Sequence, residues 1–318
     1  MTVALLSPLR LRELELPNRI VVSPMCQYSA VDGCATDWHL VHLGQYAVSG
    51  AGLVIVEATH VERRGRITHG CLGLYSDENE AALVRIVDFF RRHGHARLGI
   101  QLAHSGRKGS ARRPWEGRGE ALTAGEDPWP TVAASELPFD DGWPQPAALD
   151  AAGLAGVREA FVRSTRRAAR LGFELVEIHV AHGYLLHGFL SPLGNRRSDA
   201  YGGSLENRMR FPLEVFDAVR AEWPQHRPLG VRISATDWIE GGWTLEDSCE
   251  FARQLKARGC DFITVSSGGM SPKQKITLGE GYQLPLAAAV RQAADRAVDV
   301  AHVVRPRDRH PQLDRVER

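Results

Sequence analysis

Six short apolar runs alternate with segments of helical periodicity, and this alternation constrains the fold more than any other feature. The clearest run, Gly52–Ala58, is almost continuously apolar, as expected for a parallel strand that is covered on both faces. The runs begin at Ile20, Gly52, Leu98, Phe173, Leu229 and Asp261. Such alternation without a domain break predicts a parallel sheet, either open or closed into a barrel.

No Gly-x-Gly-x-x-Gly motif follows the first run, which argues against an open dinucleotide-binding sheet. A (β/α)8 TIM barrel needs eight strand–helix units. The pattern weakens after the sixth, because a helix is plausible over 281–291 but only 298–304 could form another strand. We therefore expect an α/β TIM barrel that is incomplete at its seventh and eighth units. Residues 1–291 would form the barrel domain and residues 292–318 an atypical tail.

Composition excludes several classes of protein. The 39 basic and 38 acidic residues give a net charge of +1, which favours neither nucleic acid nor an anionic membrane as a partner. The 5 cysteines are odd in number and lack Cys-x-x-Cys spacing, so a disulfide framework or zinc site is not expected. No apolar run reaches membrane-spanning length, and the N-terminus lacks a secretory pattern. A cytoplasmic protein is the expectation.

The most informative stretch is Ile178-His179-Val180-Ala181-His182-Gly183-Tyr184, which completes the fourth apolar run. The C-terminal ends of barrel strands form the active face, so two imidazoles and a phenol would project there together. Imidazole nitrogens can bind a negative oxygen, and a phenol can give up a proton. Histidines three residues apart could equally be metal ligands or loop residues that bond to backbone.

Further motifs extend this stretch and recur along the chain. They are Phe189-Leu190-Ser191-Pro192, Asn195-Arg196, Tyr201-Gly202-Gly203, Glu206-Asn207-Arg208, Ser23-Pro24-Met25-Cys26, Val56-Glu57-Ala58, Gln101-Leu102-Ala103-His104 and Val231-Arg232-Ile233-Ser234. With them, the chain resembles the old yellow enzyme family of FMN-dependent ene-reductases or NADPH dehydrogenases, in particular its shorter bacterial branch. The resemblance implies a barrel that holds FMN noncovalently and takes hydride from NADPH or NADH. It also implies reduction of an alkene conjugated to a carbonyl or nitro group, and a homo-oligomer if the barrel is complete.

The resemblance implies one set of residues that contact FMN. These are Ser23, Pro24, Met25, Cys26, Ala58, Gln101 and Arg232. Arg232 would place a cation beside the flavin, although a buried Arg–carboxylate pair would explain it too. The Gln101 amide would serve a pyrimidine-like ring edge, or cap a strand end. Cys26 would tune the flavin potential, or be a small buried residue.

A second set of residues would act on the substrate. By the same resemblance, His179 and His182 hold the carbonyl or nitro oxygen, and Tyr184 delivers a proton to the α-carbon opposite the hydride. Tyr28 matches a second phenol over the pocket. Lys108 matches a basic residue near the flavin side of the pocket, although a solvated surface lysine is the alternative.

Two other functions stay open. From Asp295 the tail is crowded with Arg, Asp, His and Pro, and it lacks the motifs that hold the FMN phosphate in the family. The chain could therefore be a truncated, non-enzymatic relative that binds FMN poorly. A more distant alternative is a metal-dependent barrel hydrolase that uses His104, His179, His182 and Asp237. Their spacing matches no known metal site, so we expect no metal.

Overall fold

A computed structural model describes residues 4–294 and 299–302. Its centre is one parallel sheet of seven strands, which lie side by side in chain order. The strands are β1 (Val21–Val22), β2 (Leu53–His60), β3 (Arg97–Ala103), β4 (Leu175–Val180), β5 (Leu229–Ser234), β6 (Phe262–Ser266) and β7 (Asp299–His302). A helix follows each of the first six strands: α1 (Asp37–Ala47), α2 (Asp77–His93), α3 (Ala151–Leu171), α4 (Leu205–Glu222), α5 (Leu245–Ala257) and α6 (Leu284–Ala293). The predicted α/β barrel architecture is confirmed.

The sheet is open at its end. β7 pairs in parallel with β6 from Phe262–Asp299 onward, so the single strand that the sequence allowed within 298–304 is present. Across the described residues no eighth strand joins the sheet, whose edges are β1 and β7. The helix α6 continues past the predicted domain boundary at Arg291. Most of the predicted tail, residues 303–318, lies outside the described residues.

The ends of the helices follow from local sequence. Four helices begin at a residue whose side-chain oxygen accepts a backbone N–H from the first turn: Ser76, Asp150, Ser204 and Thr244. Thr244 and Asp247 form the reciprocal capping box that their spacing predicts. In the part of the chain that the structure describes, no helix is both long and apolar enough to cross a membrane.

An N-terminal hairpin closes the bottom of the sheet. Leu9–Leu11 and Leu14–Leu16 pair antiparallel. Between them, Arg12 donates from Nε to both carboxylate oxygens of Asp261 at 2.7 Å. Because Asp261 directly precedes β6, this ion pair fixes the hairpin at the end of the sheet opposite to the candidate site.

The long connection between β3 and α3, residues 111–148, forms an excursion at the other end of the sheet. The buried guanidinium of Arg107 donates to the carbonyl oxygens of Leu137 at 3.3 Å and Pro138 at 3.1 Å. It also donates to the Met270 carbonyl at 3.0 Å, in the loop after β6. One side chain thus ties this excursion to two loops of the active face.

Candidate active site

The motif after β4 forms a tight turn that brings three functional side chains together. The rings of His179 and His182 lie 5.1 Å apart, and those of His179 and Tyr184 lie 5.0 Å apart, both edge to face. His182 and Gly183 have φ angles of +58° and +76°, a conformation that L-residues seldom adopt. A Cβ at Gly183 would lie 2.2 Å from the Gly269 oxygen, so only glycine fits. The predicted cluster of two imidazoles and a phenol exists.

The hydrogen bonds of the two histidines determine which ring nitrogen can donate. His179 Nδ1 accepts the backbone N–H of Ala181 at 3.1 Å, so its proton resides on Nε2. His182 Nε2 lies 2.8 Å from Ser266 Oγ. Burial, followed by the positive charge of Arg232, holds both imidazole pKa values well below the ordinary 6.5. Both rings are therefore neutral hydrogen-bond donors at neutral pH.

Tyr184 is kept protonated by its surroundings. Burial raises the pKa of its phenol well above 10, and the nearby Cys26 and Tyr28 raise it further. These three side chains line one small cluster, packed against Ile67, Cys71, Ala111 and Trp143. A protonated phenol beside a neutral imidazole can supply a proton to a carbanion-like centre.

Cys26 lies at the same cluster as a thiol. Burial, followed by the charge of Glu57, raises the pKa of the thiol well above its ordinary 9.0. It is therefore a neutral thiol and not a thiolate nucleophile, and the residue as a whole is half-buried. Its neighbour Met25 is 45% exposed, while Ser23 and Pro24 are half-buried at the end of β1.

A polar row crosses the inner face of the sheet below this cluster. Gln101 Nε2 donates to Glu177 Oε1 at 2.7 Å, and the Thr264 hydroxyl donates to the other carboxylate oxygen. Arg232 lies in register between His179 and Thr264. Burial raises the pKa of Glu177, and the charge of Arg232 opposes that rise. Arg232 thus interacts with a buried carboxylate and also lies at the candidate flavin site, so the two roles considered for it are compatible.

Sequence inspection missed Glu177, although a signal was present. A carboxylate within a run of buried apolar residues is unusual and normally has a charged or hydrogen-bonding partner. All six residues of β4 are buried, including Glu177.

These residues suit the chemistry of FMN. A flat ring with a polar pyrimidine edge needs amide donors and acceptors, a cation near its anionic reduced form, and small apolar contacts. Gln101 and Arg232 supply the first two, Ala58 is small and buried, and Met25 presents an exposed thioether. The pairing of β2 with β3 shifts register between Val56 and Ala58, which changes the direction of the Ala58 side chain.

Lys108 is not a solvated surface residue. Its Nζ donates to the carbonyl oxygens of His182 and Gly269, each at 2.9 Å. The ammonium also lies 4.5 Å from the Phe139 ring centroid and 5.2 Å from that of Tyr184. Burial, followed by the charge of Arg107, lowers its pKa to about 8. Lys108 therefore joins the motif turn to the loop after β6 and to the excursion.

The metal-hydrolase alternative gains no support from the described residues. His104 Nε2 contacts Glu62 at 2.9 Å, and Asp237 contacts His187 at 3.1 Å, so neither shares a centre with His179 and His182. Within residues 4–294, no three His, Cys, Asp or Glu side chains are placed to hold a metal ion.

Fold and site together define a barrel oxidoreductase that uses FMN. The sequence model described as NADH:flavin oxidoreductase / NADH oxidase family matches residues 4–277, and the chain belongs to this family. It is 42% identical to an NADPH dehydrogenase of Geobacillus sp. (strain WCH70), over 96% of this chain and 84% of that protein. It is 44% identical to one of Listeria innocua serovar 6a, over 91% of this chain and 80% of that protein.

Solved structures of two reductases resemble this chain in fold. Morphinone reductase matches with a TM-score of 0.73 and 29% identity, over 94% of this chain and 85% of that one. A 2-naphthoyl-CoA reductase matches with a TM-score of 0.83 and 26% identity, and this chain spans 46% of that larger chain. The chain is therefore an enzyme of the old yellow enzyme type, with FMN as cofactor and a nicotinamide as hydride donor.

His60 is a second residue that sequence inspection missed, and its burial affects how stability depends on pH. The side chain is 1% exposed, and a hydrogen bond with the Ala103 backbone only partly offsets the cost of charging the ring there. Burial, followed by the charges of His104 and Arg66, lowers its pKa to about 3. Between this value and the ordinary 6.5, only the unfolded chain binds the proton, so stability falls as the pH falls.

We therefore expect His60→Leu to stabilise the protein more at acidic than at neutral pH. The gain over the wild type should be about 2 kcal/mol larger at about pH 5 than at about pH 7.5. Urea unfolding of both proteins at the two pH values measures this difference. An equal gain at both pH values would show that His60 is protonated alike in the folded and unfolded chains.

Proposed function

We propose that this enzyme reduces the activated C=C bond of α,β-unsaturated carbonyl or nitro compounds, with hydride from NADPH or NADH. The observation that carries the proposal is the turn after β4, which presents two neutral imidazoles and a protonated phenol, with the His179 ring 5.1 Å from that of His182 and 5.0 Å from that of Tyr184. Such a set suits a substrate that gains negative charge on an oxygen and a proton on a carbon.

The two imidazoles would hold the oxygen of the carbonyl or nitro group. His179 offers its Nε2–H, because Nδ1 is occupied by the Ala181 amide. His182 offers Nδ1–H when the Ser266 hydroxyl donates to its Nε2. Neutral donors that are already oriented stabilise charge as it develops on the oxygen, without a cost of reorganisation. When bound, FMN would carry the hydride between the nicotinamide and the alkene.

The phenol would complete the reduction. Tyr184 would give its proton to the α-carbon, and its raised pKa keeps that proton available at neutral pH. Tyr28 shares the same cluster and would border the alkene. Arg232 and Gln101 would serve the cofactor, and Cys26 would lie against the flavin as a thiol.

A titration with FMN followed by an activity assay tests the proposal. We expect the purified protein to quench FMN fluorescence and then, without oxygen, to turn over NADPH or NADH repeatedly only when an enone, maleimide or nitroalkene is added. Comparing both nicotinamides establishes the preferred donor. Protein that stays colourless with excess FMN would support the truncated, non-enzymatic alternative. FMN-loaded protein that oxidises the nicotinamide but leaves every activated alkene intact would refute the proposed substrate class.

The same titration tests whether the atypical tail weakens FMN phosphate contacts, as the tail composition predicts. The cytoplasmic location and the homo-oligomeric state also remain predictions. Size-exclusion chromatography with light scattering measures the oligomeric state.

A further inference from the structure

The turn that carries His182 and Tyr184 has to be held in an unfavourable backbone conformation. Two successive residues, His182 and Gly183, have positive φ angles. Residues in such regions persist only where the surrounding structure overdetermines them. Two polar contacts hold the His182 backbone: its carbonyl accepts from Lys108 at 2.9 Å, and its N–H donates to Ser234 Oγ at 2.9 Å.

A fully buried imidazole supplies the contact at Gly183. The N–H of Gly183 donates to His187 Nδ1 at 2.9 Å. His187 is on the short helix Leu185–Leu190 and is 0% exposed. Because Nδ1 accepts this bond, a neutral imidazole carries its proton on Nε2.

A buried carboxylate lies on the other side of the imidazole. Asp237 Oδ1 is 3.1 Å from His187 Nε2, and both side chains have 0% exposure. Its Oδ2 accepts from the Ser191 hydroxyl at 2.6 Å and from the Trp243 backbone N–H at 2.8 Å. Burial alone would raise the pKa of Asp237, but His187 and these donors hold it below its ordinary value. The carboxylate therefore stays ionised and orients the imidazole.

We propose that His187 and Asp237 are positioning residues for the reduction, which set the turn so that His182 and Tyr184 face the substrate. They have no role in the chemistry assigned to the site, and the inference rests on the proposed function. Asp237 selects the Nε2–H form of His187, and that form leaves Nδ1 as the acceptor that Gly183 requires. A displacement of about 1 Å at Tyr184 or His182 is enough to reduce turnover about 100-fold.

Three variants of FMN-loaded protein test this inference. His187→Leu removes both contacts, and we expect kcat for enone reduction to fall about 100-fold. His187→Asn keeps an acceptor oxygen near the position of Nδ1, and we expect it to regain most of that loss. Asp237→Asn removes the carboxylate charge, and an intermediate kcat is expected. The affinity for FMN should stay within about twofold in all three, because the hydrogen bonds of this pair go to Gly183, Ser191 and Trp243.

The matched control is Ser248→Ala. Ser248 is equally buried, accepts from Trp243 Nε1 at 2.6 Å and donates to the Ala235 carbonyl at 2.9 Å, but it does not contact the turn. It should lower the midpoint of thermal unfolding and leave kcat unchanged. A loss of kcat in the control equal to that of the histidine variants would overturn the inference, because it would report only general destabilisation.

Other outcomes separate the inference from the proposed function. A wild-type protein without ene-reductase activity would refute both. An active wild type with His187→Leu at the same kcat would overturn only the inference. If His187→Leu fails to fold, His187→Asn decides: near-native kcat supports the inference, and a loss of about 100-fold overturns it.

Discussion

Replacing Tyr184 by phenylalanine should reduce kcat for enone reduction by about 100- to 10,000-fold, the range expected when a general acid is removed. The phenol is the group at the β4 turn that combines a proton with a position beside the His179 imidazole. Its pKa is raised by burial and by Cys26 and Tyr28, so the hydroxyl is protonated across the working pH range. Without it, the α-carbon would have to take a proton from water.

Stopped-flow measurement separates the two half-reactions of Tyr184→Phe. Reduction of bound FMN by the nicotinamide needs no proton from this side chain, so its rate should stay within about threefold of the wild type. The alkene half-reaction should carry the whole loss. Tyr201→Phe is the matched control, since that phenol donates to Glu214 at 3.3 Å on the surface. Retention of more than about a tenth of wild-type kcat by Tyr184→Phe would assign the proton to another donor.

Replacing Arg232 by methionine should lower the free energy of unfolding by about 3–5 kcal/mol, even without FMN, because it leaves a buried carboxylate without its cation. Burial disfavours the charged form of Glu177, and Arg232 is the group that opposes this effect most strongly. Urea denaturation of the FMN-free protein measures the loss. The double variant Arg232→Met with Glu177→Gln should recover much of it, since the amide carries no charge to leave unpaired.

The loss of stability in Arg232→Met should depend on pH in one direction. Without Arg232, the pKa of Glu177 in the folded state rises further above the ordinary 4.5. The folded chain then holds a proton that the unfolded chain has released, so the deficit should be largest near about pH 8 and smaller near about pH 5. Arg166→Met is the control, because Arg166 pairs with Glu222 at the surface and should cost less than about 1 kcal/mol. A deficit that grows on acidification would contradict the pairing of Arg232 with Glu177.

Much of the architecture was predictable because it depends on local patterns. Six apolar runs became six strands, and residues such as Ser76 and Thr244 began the helices that their hydrogen-bonding groups favour. The motif from Ile178 to Tyr184 was predicted to cluster its histidines and tyrosine, and it does. Such features depend on residues a few positions apart.

The partners of those residues were not predictable, because they come from distant parts of the chain. Glu177 is held by Thr264, which lies 87 positions away, and Lys108 reaches carbonyls 74 and 161 positions away. Sequence inspection treated Lys108 as a flavin-side or solvated base. Only the folded chain shows that it clamps the motif turn.

The sequence by itself therefore determined the alternation of strands and helices, the family, and which imidazoles and phenols stand at the end of β4. Tertiary structure alone decided the protonation state of those groups. The pKa of a side chain depends on its burial and on the charges around it, and those neighbours meet only when parallel strands align. Register across the sheet places Arg232 between His179 and Thr264. Burial keeps the imidazoles neutral and the charge of Arg232 adds to that effect, while the same charge favours the ionised form of Glu177.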